Sequence, residues 1–136
     1  MNQDITNRSD VELLVDTFYG KVMTNEVIGF IFSDVVGIDW SKHLPKMYNF
    51  WSSLLFGERD YSGNPMRVHV ALSKLTEMGS KEFGEWLRLF NETVDELFEG
   101  NKANEAKARA SKIASLMQIK IKQTKQSSLL IRPDNQ

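Results

Sequence analysis

Val11-Glu12-Leu13-Leu14-Val15-Asp16-Thr17-Phe18-Tyr19-Gly20-Lys21-Val22 is the stretch on which the fold turns. Val11, Leu14, Val15, Phe18, Tyr19 and Val22 fall at i, i+3, i+4, i+7, i+8 and i+11. That spacing winds them into one apolar stripe on a helix, whereas a strand would scatter them over both faces. Just upstream, Ser9-Asp10-Val11-Glu12 has the form of a capping box, so the pattern predicts a helix beginning at Ser9. Tyr19 lies on the stripe, which turns its hydroxyl toward the interior.

Working outward, Val27 to Phe32 is too short for a core helix and reads as a helical corner delivering Phe30 and Phe32 to the core. After Asp39, Trp40, Leu44, Met47, Trp51 and Leu55 recur at helical spacing, with His43, Met47, Phe50 and Leu54 in the adjoining row. Pro45 is tolerated in a first turn and kinks a helix already under way, so this helix starts near Ser41 or bends. Gly57 to Asn64 reads as a loop. Asn64-Pro65 then has the chemistry of an N-cap followed by proline at the first helical position, opening a short helix that carries His69.

Ser80 can cap a helix bearing Phe83, Trp86, Leu87, Phe90, Val94, Leu97 and Phe98 and ending at Gly100. A last helix is expected from about Ala103 to Lys122, with Ala106, Ala110, Ile113, Met117 and Ile121 on one face. No run alternates with period two over a convincing length, and no hairpin turn separates two such runs. The fold class expected is all-α.

The chain has 136 residues, of which 41% are apolar and 26% charged, as in a single globular domain. The expected division is one domain over residues 1–122 and a polar, disordered tail over residues 123–136. A formal net charge of -1, with basic residues scattered along the helices, argues against a nucleic-acid partner. The absence of cysteine excludes disulfides, thiolate metal sites and covalent haem attachment. The polar N-terminus and the lack of any membrane-length apolar run point to a soluble, cytoplasmic protein with no membrane partner, expected to be a monomer.

The two histidines, His43 and His69, lie on different expected helices rather than at the i, i+4 spacing of a zinc pair, and two histidines make a poor zinc site. Three donors converge on the expected interior: the Tyr19 hydroxyl, the Trp86 indole N–H and one His43 nitrogen. As plain core residues they would turn their polar tips to backbone carbonyls.

Taken in order, Phe18-Tyr19, Ile31-Phe32, His43 followed by Asn49-Phe50-Trp51, His69, and Trp86-Leu87 with Leu89-Phe90 resemble a group III truncated haemoglobin. The resemblance covers about Asp10 to Lys122. It implies a truncated globin, a two-over-two helical sandwich around haem b (iron protoporphyrin IX). It further implies His69 as the proximal metal ligand, Tyr19 and Trp86 as distal hydrogen-bond donors, His43 at the distal gate and Phe32 on the haem face. Met47, Phe50, Trp51, Trp86 and Phe90 complete the cofactor-binding set. Two residues depart from the family pattern. Met47 stands where a branched aliphatic is usual, and Pro45 interrupts the same helix early.

What the resemblance implies about activity is binding of dioxygen, carbon monoxide, nitric oxide or peroxide at a five-coordinate or ligand-exchangeable iron. Tyr19, His43 and Trp86 then take the catalytic roles of ligand stabilisation or proton donation. Strong retention of dioxygen favours sensing, peroxidase-like turnover or nitric oxide dioxygenation over transport, with a reductase as electron donor. The alternative is a haem-free helical interaction module whose aromatic stripes are plain core.

Overall fold

A computed structural model describes residues 2–29, 31, 40–57 and 79–130, with backbone alone for residues 40 and 124–130. Among the described residues there are four long helices: α1 (Arg8–Thr24), α2 (Trp40–Phe56), α3 (Ser80–Leu97) and α4 (Asn101–Leu130). Helix α1 packs on α2 and on α3, while α4 packs on α3 and on α2. The contacts close into a square of two helices over two, as the sequence led us to expect. Among the described residues there is no strand, only an isolated parallel bridge between Gln3 and Phe98. None of their helices is long and apolar enough to cross a membrane.

Helix α1 buries Val11, Leu14, Val15, Phe18, Tyr19 and Val22, the full stripe read from its spacing. Its start differs from expectation. Asn7, not Ser9, is the N-cap and accepts from the Asp10 amide at 3.0 Å, while the Asp10 carboxylate reaches back to the Thr6 amide at 2.9 Å. The reciprocal pair therefore forms around Asp10 rather than Glu12, and Ser9 lies inside the helix.

After Thr24, Asn25 turns the chain. Its side-chain oxygen accepts from the amides of Val27 and Ile28, and its amide group donates to Glu85 on α3 at 2.7 Å. The corner is tight enough to need glycine. A Cβ at Gly29 would stand 2.9 Å from the carbonyl oxygen of Met23.

Helix α2 begins at Trp40 and keeps Pro45 in its second turn, giving up the one backbone bond a proline cannot donate. Helix α3 is capped by Gly79, whose amide donates to the Glu82 carboxylate at 2.7 Å, so Ser80 is its first residue rather than its cap. On α4 the buried line is Ala103, Ala106, Ala110, Ala114, Met117 and Ile121. Ala114 takes the central place expected of Ile113, which is only partly buried. Small side chains along this line let α4 approach its neighbours closely. Helix α4 also continues past Lys122 to Leu130, taking up backbone expected to be tail; residues 131–136 lie outside the described residues.

The α3–α4 connection is fastened by the N-terminal segment. The Asp4 carboxylate accepts from the amides of Ala103 at 2.8 Å and Lys102 at 2.9 Å, capping α4 from a distant part of the chain. Gln3 accepts from the Glu99 amide, and Asn2 donates to the carbonyls of Asp95 and Glu96. Gly100 makes room for this strap. It has φ 145°, and a Cβ there would lie 2.5 Å from Cγ of Asp4.

Burial pushes the Asp4 carboxyl upward, but amide hydrogen bonds from Lys102, Ala103 and Ile5, together with the nearby Lys102 charge, outweigh it and hold the group below its ordinary 3.8. A depressed carboxylate stabilises the fold above its unfolded value, and that stability is lost as pH falls through the lower folded value. Asp4→Asn replaces one of the two accepting oxygens by a donor, so it should lower stability at neutral pH by about 1 kcal/mol and flatten the loss of stability below about pH 4. Urea midpoints of the two proteins across that range test this. Parallel acid limbs would refute the cap.

Candidate functional site

The three helices α1, α2 and α3 turn rings toward one another. From α1, Phe18 touches Tyr19 at 4.9 Å, Trp86 at 5.5 Å edge-on and Phe90 at 5.2 Å edge-on, measured between ring centroids. On the α2 side, His43 meets Tyr19 edge-on at 5.6 Å, and Trp51 stacks on Phe90 at 4.8 Å. From α3, Trp86 stacks on Phe90 at 6.0 Å. Tyr19, His43, Met47, Trp51, Trp86 and Phe90 are all buried.

Helical phase places these side chains. Phe18 and Tyr19 are neighbours at the edge of one stripe. His43, Met47 and Trp51 follow at i, i+4 and i+8, and Trp86 and Phe90 at i, i+4. Phe50 lies at the margin, half-buried, with its ring edge against Trp51 at 5.6 Å.

The polar atoms have distinct chemistry. The Trp86 Nε1–H is buried and has no hydrogen-bond partner among the described residues, and leaving such a donor unsatisfied costs about 1–3 kcal/mol. Burial drives the Tyr19 phenol well above its ordinary value, so it remains protonated and can donate. Burial, with a smaller effect from the nearby Lys46 charge, holds the His43 imidazole below 6.5. His43 is thus neutral at pH 7, with one donor and one acceptor nitrogen.

The structure therefore brings together six of the nine side chains assigned to the site from the sequence and sets a seventh, Phe50, at the rim. His69 and Phe32 lie outside the described residues. A participant the sequence reading did not place in the site is Phe18, whose ring touches Tyr19, Trp86 and Phe90 together. Its signal was present in the buried stripe of α1, but which rings it joins is decided by how α3 docks. No group of three or more His, Cys, Asp or Glu able to hold a metal ion occurs among the described residues. The donor set fits haem all the same. Flat apolar walls, a neutral imidazole and a buried indole N–H without a partner are what a planar macrocycle with a small polar ligand requires.

The model of the bacterial-like globin family matches residues 3–122, and the chain belongs to that family. It is 34% identical over 122 residues to the group 3 truncated hemoglobin ctb of Campylobacter jejuni, covering 87% of this chain and 93% of the relative. The crystal structure of group III truncated hemoglobin from Campylobacter jejuni matches with a TM-score of 0.75 at 31% identity, covering 89% of this chain and 95% of that one. Within the bacterial-like globins, its place is among the group III truncated haemoglobins, which are haem-binding proteins.

The state of His43 can be read directly. A ring-proton NMR titration should place its midpoint below 6.5, and Lys46→Ala should raise it slightly by removing the like charge. A midpoint at or above 6.5 would contradict the burial seen here.

Proposed function

We propose that the chain binds haem b with His69 as proximal iron ligand, and holds dioxygen, nitric oxide, carbon monoxide or peroxide beneath Tyr19, Trp86 and His43. The observation that carries this is the buried Trp86 N–H, unsatisfied among the described residues and set in the same ring cluster as the Tyr19 phenol and the His43 imidazole. Membership of a haem-binding family favours this reading over a haem-free interaction module. Bound haem supplies an iron that takes up a diatomic ligand or peroxide and exchanges electrons with it.

The protein's part is to wall off water and to aim hydrogen bonds. Trp51, Trp86, Phe90 and Met47 form an apolar enclosure in which a hydrogen bond is stronger than in water. Trp86 can only donate. Tyr19 donates as a neutral phenol, which suits a ligand that acquires partial negative charge and does less for carbon monoxide. Neutral His43 is the side chain here that can both accept and return a proton, which peroxide or nitric oxide chemistry uses and simple carriage does not.

Two donors worth about 1–2 kcal/mol each slow dioxygen release by roughly 30- to 1000-fold. A carrier is ill served by that; a sensor or a catalyst is not. The proposal extends to peroxidase-like or nitric oxide dioxygenase turnover by a cytoplasmic monomer drawing electrons from a reductase.

Protein from cells supplied with haem should show a Soret band that His69→Ala loses or greatly weakens. A folded, colourless wild type would overturn the reading. Trp86→Phe keeps a ring in the stack and removes the N–H, so dioxygen release should accelerate about 10-fold while carbon monoxide release changes little. Equal acceleration of both ligands in stopped-flow measurements would show that Trp86 acts through packing alone.

A further inference from the structure

The ring stack that walls the pocket continues through the protein. Trp86 lies on Phe90 with 13° between ring planes, and Phe90 on Trp51 with 19°, so the two indoles face each other across a single phenyl ring. Trp51 stands on α2 one turn beyond Tyr48, the i, i+3 relation that makes helical side chains neighbours. Tyr48 is half-buried and reaches the surface, where its hydroxyl donates to the Asp16 carboxylate of α1. Burial, and then the Asp16 carboxylate, push the Tyr48 phenol up to about 12, so its proton stays between the two oxygens at rest.

We propose that Tyr48 is a surface site of one-electron oxidation, fed from the haem pocket through Trp86, Phe90 and Trp51. This rests on the haem reading above. Indole and phenol rings are the readily oxidised side chains along this line, and Phe90 is the thin π-spacer between two of them. Hydrogen peroxide reduced to two waters in the pocket takes up two electrons and two protons. One of those electrons comes from Tyr48, passing inward by way of Trp51 and Trp86; the bound haem would lend the other until a second molecule of the external reductant replaces it, and the two reductant molecules release the two protons.

Losing an electron makes a phenol strongly acidic, so the Tyr48 proton moves along the existing hydrogen bond to Asp16 and a neutral phenoxyl radical is left. A small external reductant, such as a phenol or an ene-diol, then returns one electron, and the proton goes back from Asp16. Tyr19 is badly placed for this role, since its ring is enclosed where no dissolved reductant can meet it. Tyr48 joins the three features the task needs: a place on α2 one turn from Trp51, a carboxylate to take the proton, and access to solvent.

The test uses haem-loaded ferric protein, hydrogen peroxide and a nitroso spin trap, with adducts located by peptide mass spectrometry. Wild type should carry the adduct on Tyr48. Tyr48→Phe should abolish it, and Asp16→Asn should reduce it several-fold, both with an unchanged Soret band. Trp51→Phe, compared at equal Soret absorbance, should also reduce it several-fold. Peroxide consumption with adducts on Tyr19 or Tyr61 and none on Tyr48 would overturn the proposal. So would a Tyr48 adduct equally strong in Trp51→Phe or in haem-free protein, because oxidation would then arrive from solution. Failure of the haem reading itself looks different: no Soret band appears, and both proposals fall together.

Discussion

Phe18 meets Trp86 and Phe90 edge-on while leaning against Tyr19 of its own helix, and the remaining architecture is organised about that contact. Burying such a side chain contributes about 1.5–3 kcal/mol, and each well-placed ring pair adds about 0.5–1.5 kcal/mol beyond its area. The surface ion pairs, such as Lys21 with Glu96 and Lys107 with Asp95, are worth about 0–1 kcal/mol each. Ring packing therefore sets how α1 lies on α3, and the ion pairs decorate an arrangement already made.

The polar devices of the fold serve to hold that packing at its ends. Asn25 closes α1, caps the following turn and is tied to Glu85, whose carboxyl Arg88 and then Asn25 hold down to about 2. Asp4 caps α4 across the chain and needs glycine at position 100 to approach. Neither device uses a side chain of the ring cluster, so its interior is left to apolar walls and a few donors. A pocket built this way keeps water out and leaves its hydrogen bonds for a ligand, the common need of every haem function proposed for it.

The same rings that seal the pocket are the ones proposed above to carry an electron to Tyr48. Stacking of Trp86, Phe90 and Trp51 fills space between α2 and α3, and Tyr48 stands one turn from Trp51 on α2. Packing and electron conduction place the same demand on these side chains, namely parallel rings at van der Waals distance. A catalyst that handles peroxide gains from an outlet of this kind, because an oxidising equivalent carried away does not damage the pocket.

The sequence by itself determined the all-α class, the complete buried stripe of α1 and the inward placement of Tyr19, His43 and Trp86, because helical period alone assigns residues to faces. The resemblance drawn from Phe18-Tyr19, His43, Asn49-Phe50-Trp51 and Trp86 led to the right family, since the order of such residues survives where individual contacts vary. Only the tertiary structure decided what the helices do to one another. Ser9 and Ser80 looked like caps from local pattern, yet Asn7 and Gly79 cap, because two acidic side chains, Asp10 and Glu82, reach back to the amides of Thr6 and Gly79. Ile113 looked like the core residue of α4, but the close approach of its neighbours admits Ala114 instead. The Asp4 cap joins residues a whole domain apart, the role of Phe18 needs α3 docked on α1, and the Tyr48–Asp16 tie needs α2 docked there too. None of these can be read from spacing, because each depends on the angle and distance at which separate helices meet.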